Sequence, residues 1–265
     1  MSITGKTKLF PIVGHPVENV FSPPAFNVWF EKNDVDGCMI AMDVPPDGLE
    51  SFLSIMRTSP SFLGCSVTYP HKQAALDCVD ELTPRAERLG VLNTIRRTPD
   101  GRLIGDATDG AALVTAMCAV GGQIKGKTAM ILGAGGGAGM AIADAFCAAS
   151  ISGLILLDTD ANRQDHVKKM IADHWPEVKI LEAAREIEIL VNATSMGANP
   201  TDPCPFDPTL IAKAGIICDV LSNPKLAELT KASGARLVNG QMMGEAQVLP
   251  QLRFLGLDQR DLSGN

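Results

Sequence analysis

Aromatic residues are scarce in this chain, with one Tyr and two Trp among 265 residues. Stacking platforms for nucleic-acid bases are therefore not expected. An excess of positive charge is also missing: 23 Lys and Arg stand against 30 Asp and Glu, a formal net charge of −7. A nucleic-acid-binding protein would need a basic face, so that class is set aside. No apolar run is long enough for a membrane span, so no membrane partner is expected. The stretch from Met1 to Pro16 lacks the long apolar region and small-residue cleavage site of a secretory signal. The seven cysteines (Cys38, Cys65, Cys78, Cys118, Cys147, Cys204 and Cys218) form no C-x-x-C pair, and the four His are not grouped at ligand spacings. Zinc and iron–sulfur readings fail, no metal is expected, and a reducing cytoplasm is the expected compartment.

What is present points to an α/β protein. Hydrophobic residues make up 46%, enough for a substantial core without disulfides, and 25 Gly and 17 Pro suit many tight turns. Short apolar runs alternate with helical patterns in both halves, which argues for largely parallel sheets. In the first half, strands are predicted over Leu9 to Val13, Cys38 to Val44 and Phe62 to Val67. Ser22-Pro23 is read as an N-cap followed by Pro at the first helical position, and Asp47 as the cap of a second helix. Pro99-Asp100-Gly101 marks a hairpin, and Asp109 begins a helix that ends at Gly121-Gly122. The second half repeats the alternation from Thr128 onward. Asn199 to Pro208 reads as a surface loop, and one last helix runs from about Gly240 to Leu255. The expected organisation is an N-terminal α/β domain over 1–108, a dinucleotide-binding domain over 109–239, and a C-terminal helical segment over 240–265 that returns to the first domain.

The most specific local signal follows the strand Thr128 to Leu132. It is the run Gly133-Ala134-Gly135-Gly136-Gly137-Ala138-Gly139, which leads into an Ala-rich helix. Gly133, Gly135 and Ala138 fit the dinucleotide-binding fingerprint, and the next strand ends at Asp158. Such a loop lets backbone approach a pyrophosphate, and the helix N-terminus supplies N–H groups and positive dipole. Asp158 would accept hydrogen bonds from the ribose hydroxyls. A 2′-phosphate would need a cation beside Asp158, but Thr159 and Asp160 follow and Arg163 lies a turn away. NAD is therefore expected to be preferred, with NADP left open. The plain alternative is a loop used for packing and an Asp that caps a helix.

Three stretches of the first half are dense in polar groups: Ser22-Pro23 with Asn27; Ser66 to Lys72; and Asn93-Thr94 with Thr108-Asp109-Gly110. Singly, each has a structural reading. Ser22 and Asp109 would be caps, Lys72 a solvated surface Lys, and Asn93 the closure of a turn. Together with the glycine loop they resemble the shikimate dehydrogenase family over essentially the whole chain. The matching segments are Gly14-x-Pro16 with Ser22-Pro23 and Asn27, Val67-Thr68-x-Pro70-x-Lys72, Gly90-x-x-Asn93-Thr94, Gly105-x-x-Thr108-Asp109-Gly110, Gly133 to Gly137, Asn192-Ala193-Thr194-Ser195-x-Gly197 and Gly240-x-x-Met243-x-x-x-Gln247.

The resemblance implies a fold and an activity. An N-terminal α/β substrate domain would precede a Rossmann dinucleotide domain. The reaction would be reversible oxidation of a ring hydroxyl of shikimate, quinate or a related cyclic hydroxy acid, within aromatic amino acid biosynthesis. Lys72 and Asp109 would be the catalytic pair, taking the proton while the nicotinamide takes the hydride. Ser22, Thr68, Asn93 and Gln247 would bind substrate. Gly133 to Gly137, Asp158, Thr194, Val220 and Gly240 would bind the cofactor. A homodimer is left open.

The chain also departs from the family pattern. Val20 and Ser222 stand where the family has a Ser and a Tyr assigned to the substrate carboxylate. Asn19 and Phe26 replace two His, Ser66 and Ala107 each replace an Asn, and Ala227 replaces a Thr. The departures favour a paralogue for which shikimate is a poor substrate. A ligand-binding or regulatory paralogue without catalysis is the rival, and the retained Lys72 and Asp109 argue against it. A folate-type methylene dehydrogenase is a further reading, less compatible with the Thr-Asp-Gly and Gln247 motifs.

Overall fold

The computed structural model describes residues 3–18, 20–199 and 201–257. The chain divides into two compact units: residues up to Thr108 together with those from Gln247 onward, and Asp109–Ala246.

The first unit opens with β1 (Lys8–Leu9) and β2 (Ile12–Gly14), followed by α1 (Ser22–Lys32), β3 (Gly37–Cys38) and β4 (Ala41–Asp43). The single strands predicted over Leu9 to Val13 and Cys38 to Val44 are thus each two short strands. Pro11 has no N–H for a ladder and separates β1 from β2. β1 pairs with β3 in a two-stranded sheet, whereas β2 and β4 join the main sheet. The cap of α1 is Phe21, and Ser22 is the first residue inside the helix, so the predicted N-cap falls one residue late. A short 3₁₀ turn, Pro46–Gly48, contains Asp47 and leads into α2 (Leu49–Thr58) without a side-chain cap. Leu49, Phe52, Leu53 and Met56 form the buried stripe of α2 at helical spacing.

β5 (Gly64–Val67), α3 (His71–Ala74), β6 (Glu81–Leu82), α4 (Pro84–Leu89), β7 (Thr94–Arg97) and β8 (Leu103–Asp106) follow. α4 is held at both ends: Thr83 accepts from the Ala86 N–H, and Gly90 closes it in the left-handed region. The predicted hairpin is present as the antiparallel pair β7 and β8. The main sheet has order β4-β2-β5-β7-β8-β6 and is mixed, because β7 runs antiparallel to both neighbours.

The second unit contains α5 (Asp109–Ala119), β9 (Thr128–Leu132), α6 (Gly137–Ala148), β10 (Gly153–Leu157), α7 (Ala161–His174), β11 (Lys179–Ile180), β12 (Ile189–Asn192), α8 (Pro208–Ile211), β13 (Ile216–Asp219), α9 (Pro224–Ser233), β14 (Arg236–Asn239) and α10 (Gly240–Glu245). Its sheet is entirely parallel, ordered β11-β10-β9-β12-β13-β14. Counted from its own first strand this is 3-2-1-4-5-6, the dinucleotide-binding order. β12 and β13 are fully buried apolar runs, as strands covered on both faces should be.

The last helix, α11 (Val248–Leu255), belongs to the first unit. The single helix expected from about Gly240 is therefore two, and α10 stays with the second unit. Val248, Leu252 and Leu257 pack in one cluster with Phe10, Phe26 and Phe30. Of the segment 240–265, residues 258–265 lie outside the described residues. Among the described residues no helix is long and apolar enough to cross a membrane, and no group of three or more His, Cys, Asp or Glu could hold a metal ion.

Candidate functional site

In the first unit, a buried polar array gathers residues from three distant stretches. Asn93 precedes β7, Thr108 follows β8, and Gln247 precedes α11. Thr108 joins the other two. Its backbone N–H donates to Asn93 Oδ1 at 2.5 Å, and its hydroxyl lies 3.1 Å from that oxygen and 3.3 Å from Gln247 Oε1. Thr94 Oγ1 lies 3.1 Å from Thr108 Oγ1. Asn93, Thr94, Thr108 and Gln247 are all buried. Both carboxamide oxygens are thus engaged by Thr108.

The segment carrying Lys72 is tied to this array through backbone. The Leu92 N–H donates to the Lys72 carbonyl at 2.9 Å, and the Val67 N–H to the Asn93 carbonyl at 2.7 Å. Lys72 is half-buried on α3, and Thr68 is half-buried just after β5. The end of β8 is clamped by Asp106, whose carboxylate accepts from Thr83 Oγ1 at 2.6 Å and from Arg85 Nη2 at 2.5 Å. Ser22 is buried at the start of α1. Val20 points its side chain into the apolar cluster of Phe10 and Phe26, and Phe26 is fully buried there. Asn19 lies outside the described residues.

Asp109 is the first residue of α5 and is half-buried. The Gly that follows it has a packing reason: a Cβ at Gly110 would meet the Ala141 carbonyl oxygen at 1.9 Å, so only Gly lets α5 start against α6.

The glycine loop of the second unit joins β9 to α6. Gly133 has φ of +74°, and a Cβ there would meet the Ala193 carbonyl oxygen at 2.8 Å. The third position where a side chain cannot fit is Gly139, not Ala138: a Cβ at Gly139 would meet the Gly133 carbonyl oxygen at 2.1 Å. Gly136 caps α6 and Gly137 opens it, with open space around the Gly137 Cβ direction. Asp158 accepts from the Gly135 N–H and the Asp160 N–H, both at 3.0 Å. Arg163 is paired with Asp160 at 3.3 Å.

A cavity of about 640 Å³ opens beside this loop, at the point where the sheet order reverses between β9 and β12. Leu132, Gly133, Asp158 and Thr194 line it, together with Ser195, Met196, Asn199 and Asp202. Thr194 is held by Asn192, whose Oδ1 accepts from the Thr194 hydroxyl at 2.6 Å and whose Nδ2 donates to Asp219 Oδ1 at 2.9 Å. Asp202 shapes the rim by accepting from the Asn199 N–H and the Gly197 N–H. These two bonds hold its carboxyl below the usual Asp range. Val220 and Gly240 are packed on each other: a Cβ at Gly240 would meet the Val220 carbonyl oxygen at 2.3 Å. Neither is among the residues that line this cavity. Ser222 is exposed, with φ of +79°.

A dinucleotide fits these residues. Backbone stripped of Cβ atoms stands before a helix N-terminus, an acid ends the neighbouring strand, and the cavity lies at the reversal of strand order. The stretch Asn199 to Pro208 was expected only as a surface loop, yet Asn199, Asp202 and Pro203 line the cavity. Its contribution to the cavity comes from the Asp202 hydrogen bonds, which no local motif announces.

Comparison with known proteins agrees with this geometry. The family model described as the shikimate dehydrogenase substrate binding domain matches residues 12–95. A shikimate dehydrogenase (NADP(+)) of Rubrobacter xylanophilus is 33% identical over 251 residues, covering 91% of this chain and 88% of that protein. Among solved structures, the ligand-free 5-ketofructose reductase of a Gluconobacter strain superposes with TM-score 0.84 at 25% identity, covering 96% of this chain and 94% of that one. The shikimate 5-dehydrogenase of Listeria monocytogenes, in complex with shikimate and NAD, has TM-score 0.84 at 25% identity, covering 95% and 93%.

Proposed function

The chain belongs to the shikimate dehydrogenase family, and from that premise we propose that it is a nicotinamide-dependent dehydrogenase. It reversibly oxidises a ring hydroxyl of shikimate, quinate or a related cyclic hydroxy acid. The observation that carries this reading is the buried Asn93–Thr108–Gln247 array, which gathers the two carboxamides that the resemblance assigns to substrate. The first unit then binds substrate and the second binds the dinucleotide, with Ser22 and Thr68 as further substrate contacts.

When bound, the nicotinamide supplies the acceptor for hydride. The remaining chemistry belongs to the chain. As the C–H bond of the alcohol breaks, the O–H proton passes to the neutral amine of Lys72, and the oxygen becomes a carbonyl. Asp109 stabilises the ammonium so formed, and in the reverse direction Lys72 returns the proton. Gly133 to Gly137 receive the pyrophosphate, Asp158 the ribose hydroxyls, and Thr194, Val220 and Gly240 the remainder of the dinucleotide.

NAD is preferred over NADP in this proposal. Asp158 would repel a 2′-phosphate, and Arg163 is already engaged by Asp160. Shikimate itself is a poor substrate. Val20 is directed into the apolar core where the resemblance expects a hydroxyl, and Ser222 is too short to replace a Tyr. The likeness to 5-ketofructose reductase is in keeping with this, because the substrate in that protein's name carries no carboxylate. Steady-state kcat/KM for shikimate, quinate and other polyhydroxy acids, each with NAD and with NADP, tests the reading. Turnover of a cyclic hydroxy acid supports it. A chain that binds such acids without turnover is a sensor.

A further inference from the structure

Gln251 is a residue that no motif assigns, and it lies against the substrate array. It sits on α11 one turn after Gln247, so the two side chains share a face. Gln251 is 1% exposed. Its Nε2 donates to Ser66 Oγ at 3.1 Å and to Gln247 Oε1 at 3.5 Å. Ser66 Oγ in turn lies 3.4 Å from the Asn93 carbonyl oxygen. Gln251 Oε1 is buried with no hydrogen-bond partner.

In this arrangement Gln247 Oε1 has two donors, Thr108 Oγ1 and Gln251 Nε2.

We propose that Gln251 is a positioning residue that, by donating to the Gln247 carboxamide oxygen, fixes the Gln247 side chain for substrate. The proposal rests on the reading of Gln247 as a substrate-binding residue. Gln251 itself does not meet the substrate; it acts through Gln247.

The test uses the whole enzyme with shikimate, or with quinate if quinate is turned over faster. Gln251→Glu keeps the shape and, when ionised, removes the donor. Loss of one neutral hydrogen bond predicts a rise in substrate KM of about three- to tenfold, with kcat and dinucleotide KM within about twofold. The rise shrinks as pH falls, because a protonated Glu donates again. In a Gln247→Leu background, Gln251→Glu adds nothing further to KM. Gln251→Leu repeats the KM measurement without a buried charge, and thermal melting of each variant confirms folding.

An unchanged KM in both Gln251 variants, with KM raised by Gln247→Leu, overturns the positioning role alone. So does a pH-independent rise that persists in the Gln247→Leu background, because Gln251 would then act by packing. If Gln247→Leu leaves KM unchanged, or neither acid is turned over, the underlying reading of the site fails and takes this assignment with it.

Discussion

Thr108 serves two carboxamides with one N–H and one hydroxyl, and its side chain has no exposure to water. Removing the hydroxyl while keeping the shape isolates its part. Thr108→Val should destabilise the fold by about 1–3 kcal/mol, because buried acceptors lose their donor, and should raise substrate KM as the Gln247 amide loosens. Denaturant unfolding and steady-state kinetics on the same preparation check both effects. Lys72 belongs to a different test. Lys72→Ala should lower kcat by about 10²–10⁴-fold with a much smaller change in KM, the signature of lost general acid–base catalysis. A change in KM alone would make Lys72 a binding residue.

The turn between β9 and α6 depends on backbone passing within contact distance of backbone. Gly139→Ala places a methyl 2.1 Å from the Gly133 carbonyl oxygen, and neither side is a flexible side-chain end. The cost should be about 1–3 kcal/mol, read as a lower melting temperature together with weaker dinucleotide binding. The Asn199–Asp202 segment predicts a pH response of known sign. The Asp202 carboxyl is lowered by bonds from the Asn199 and Gly197 N–H groups. Its ordering of the cavity rim is therefore fully present above the ordinary Asp range and lost only as pH falls through the lowered value. Titration of Asp202 should therefore cause no change in dinucleotide affinity between about pH 5 and 8. Asp202→Asn, which mimics protonation, should weaken it across that window and match the parent only once pH falls below the lowered Asp202 value. A titration of affinity against pH for the two proteins decides this. Elements were legible where pattern and punctuation coincide. The α2 stripe, the Pro99-Asp100-Gly101 hairpin and the β9–loop–α6 unit all follow from local rules. The break between β1 and β2 at Pro11 was also written in the sequence, but the apolar run masked it. The division of α10 from α11 was not legible, because it reflects which unit each helix packs on rather than any breaker residue.

Across the whole chain, the order of short motifs indicated both units and the candidate site before any coordinates. What it left out are residues whose roles arise from distant partners. Gln251 meets Ser66 across 185 positions of sequence, and Asp106 at the end of β8 meets Arg85 of α4 and Thr83, its cap. The departures also gained meaning only in three dimensions: Phe26 is a core residue of the cluster that receives α11, and Val20 packs against that cluster. Cofactor choice is a property of the second unit as a whole. With Asp158 beside the loop and Arg163 paired to Asp160, kcat/KM should favour NAD over NADP at a fixed substrate. A higher value for NADP would overturn this preference. The central claim is that hydride leaves a ring carbon of a cyclic hydroxy acid for a nicotinamide while Lys72 takes the proton. Its most direct measurement is isotope transfer. The acid, carrying deuterium at the carbon of the oxidised hydroxyl, is incubated with NAD and the enzyme, and the reduced dinucleotide is analysed by mass spectrometry. The account predicts that the deuterium appears in the reduced dinucleotide, and that Lys72→Ala transfers it to the same place far more slowly. Absence of deuterium from the dinucleotide, with shikimate and quinate both tried, would contradict it.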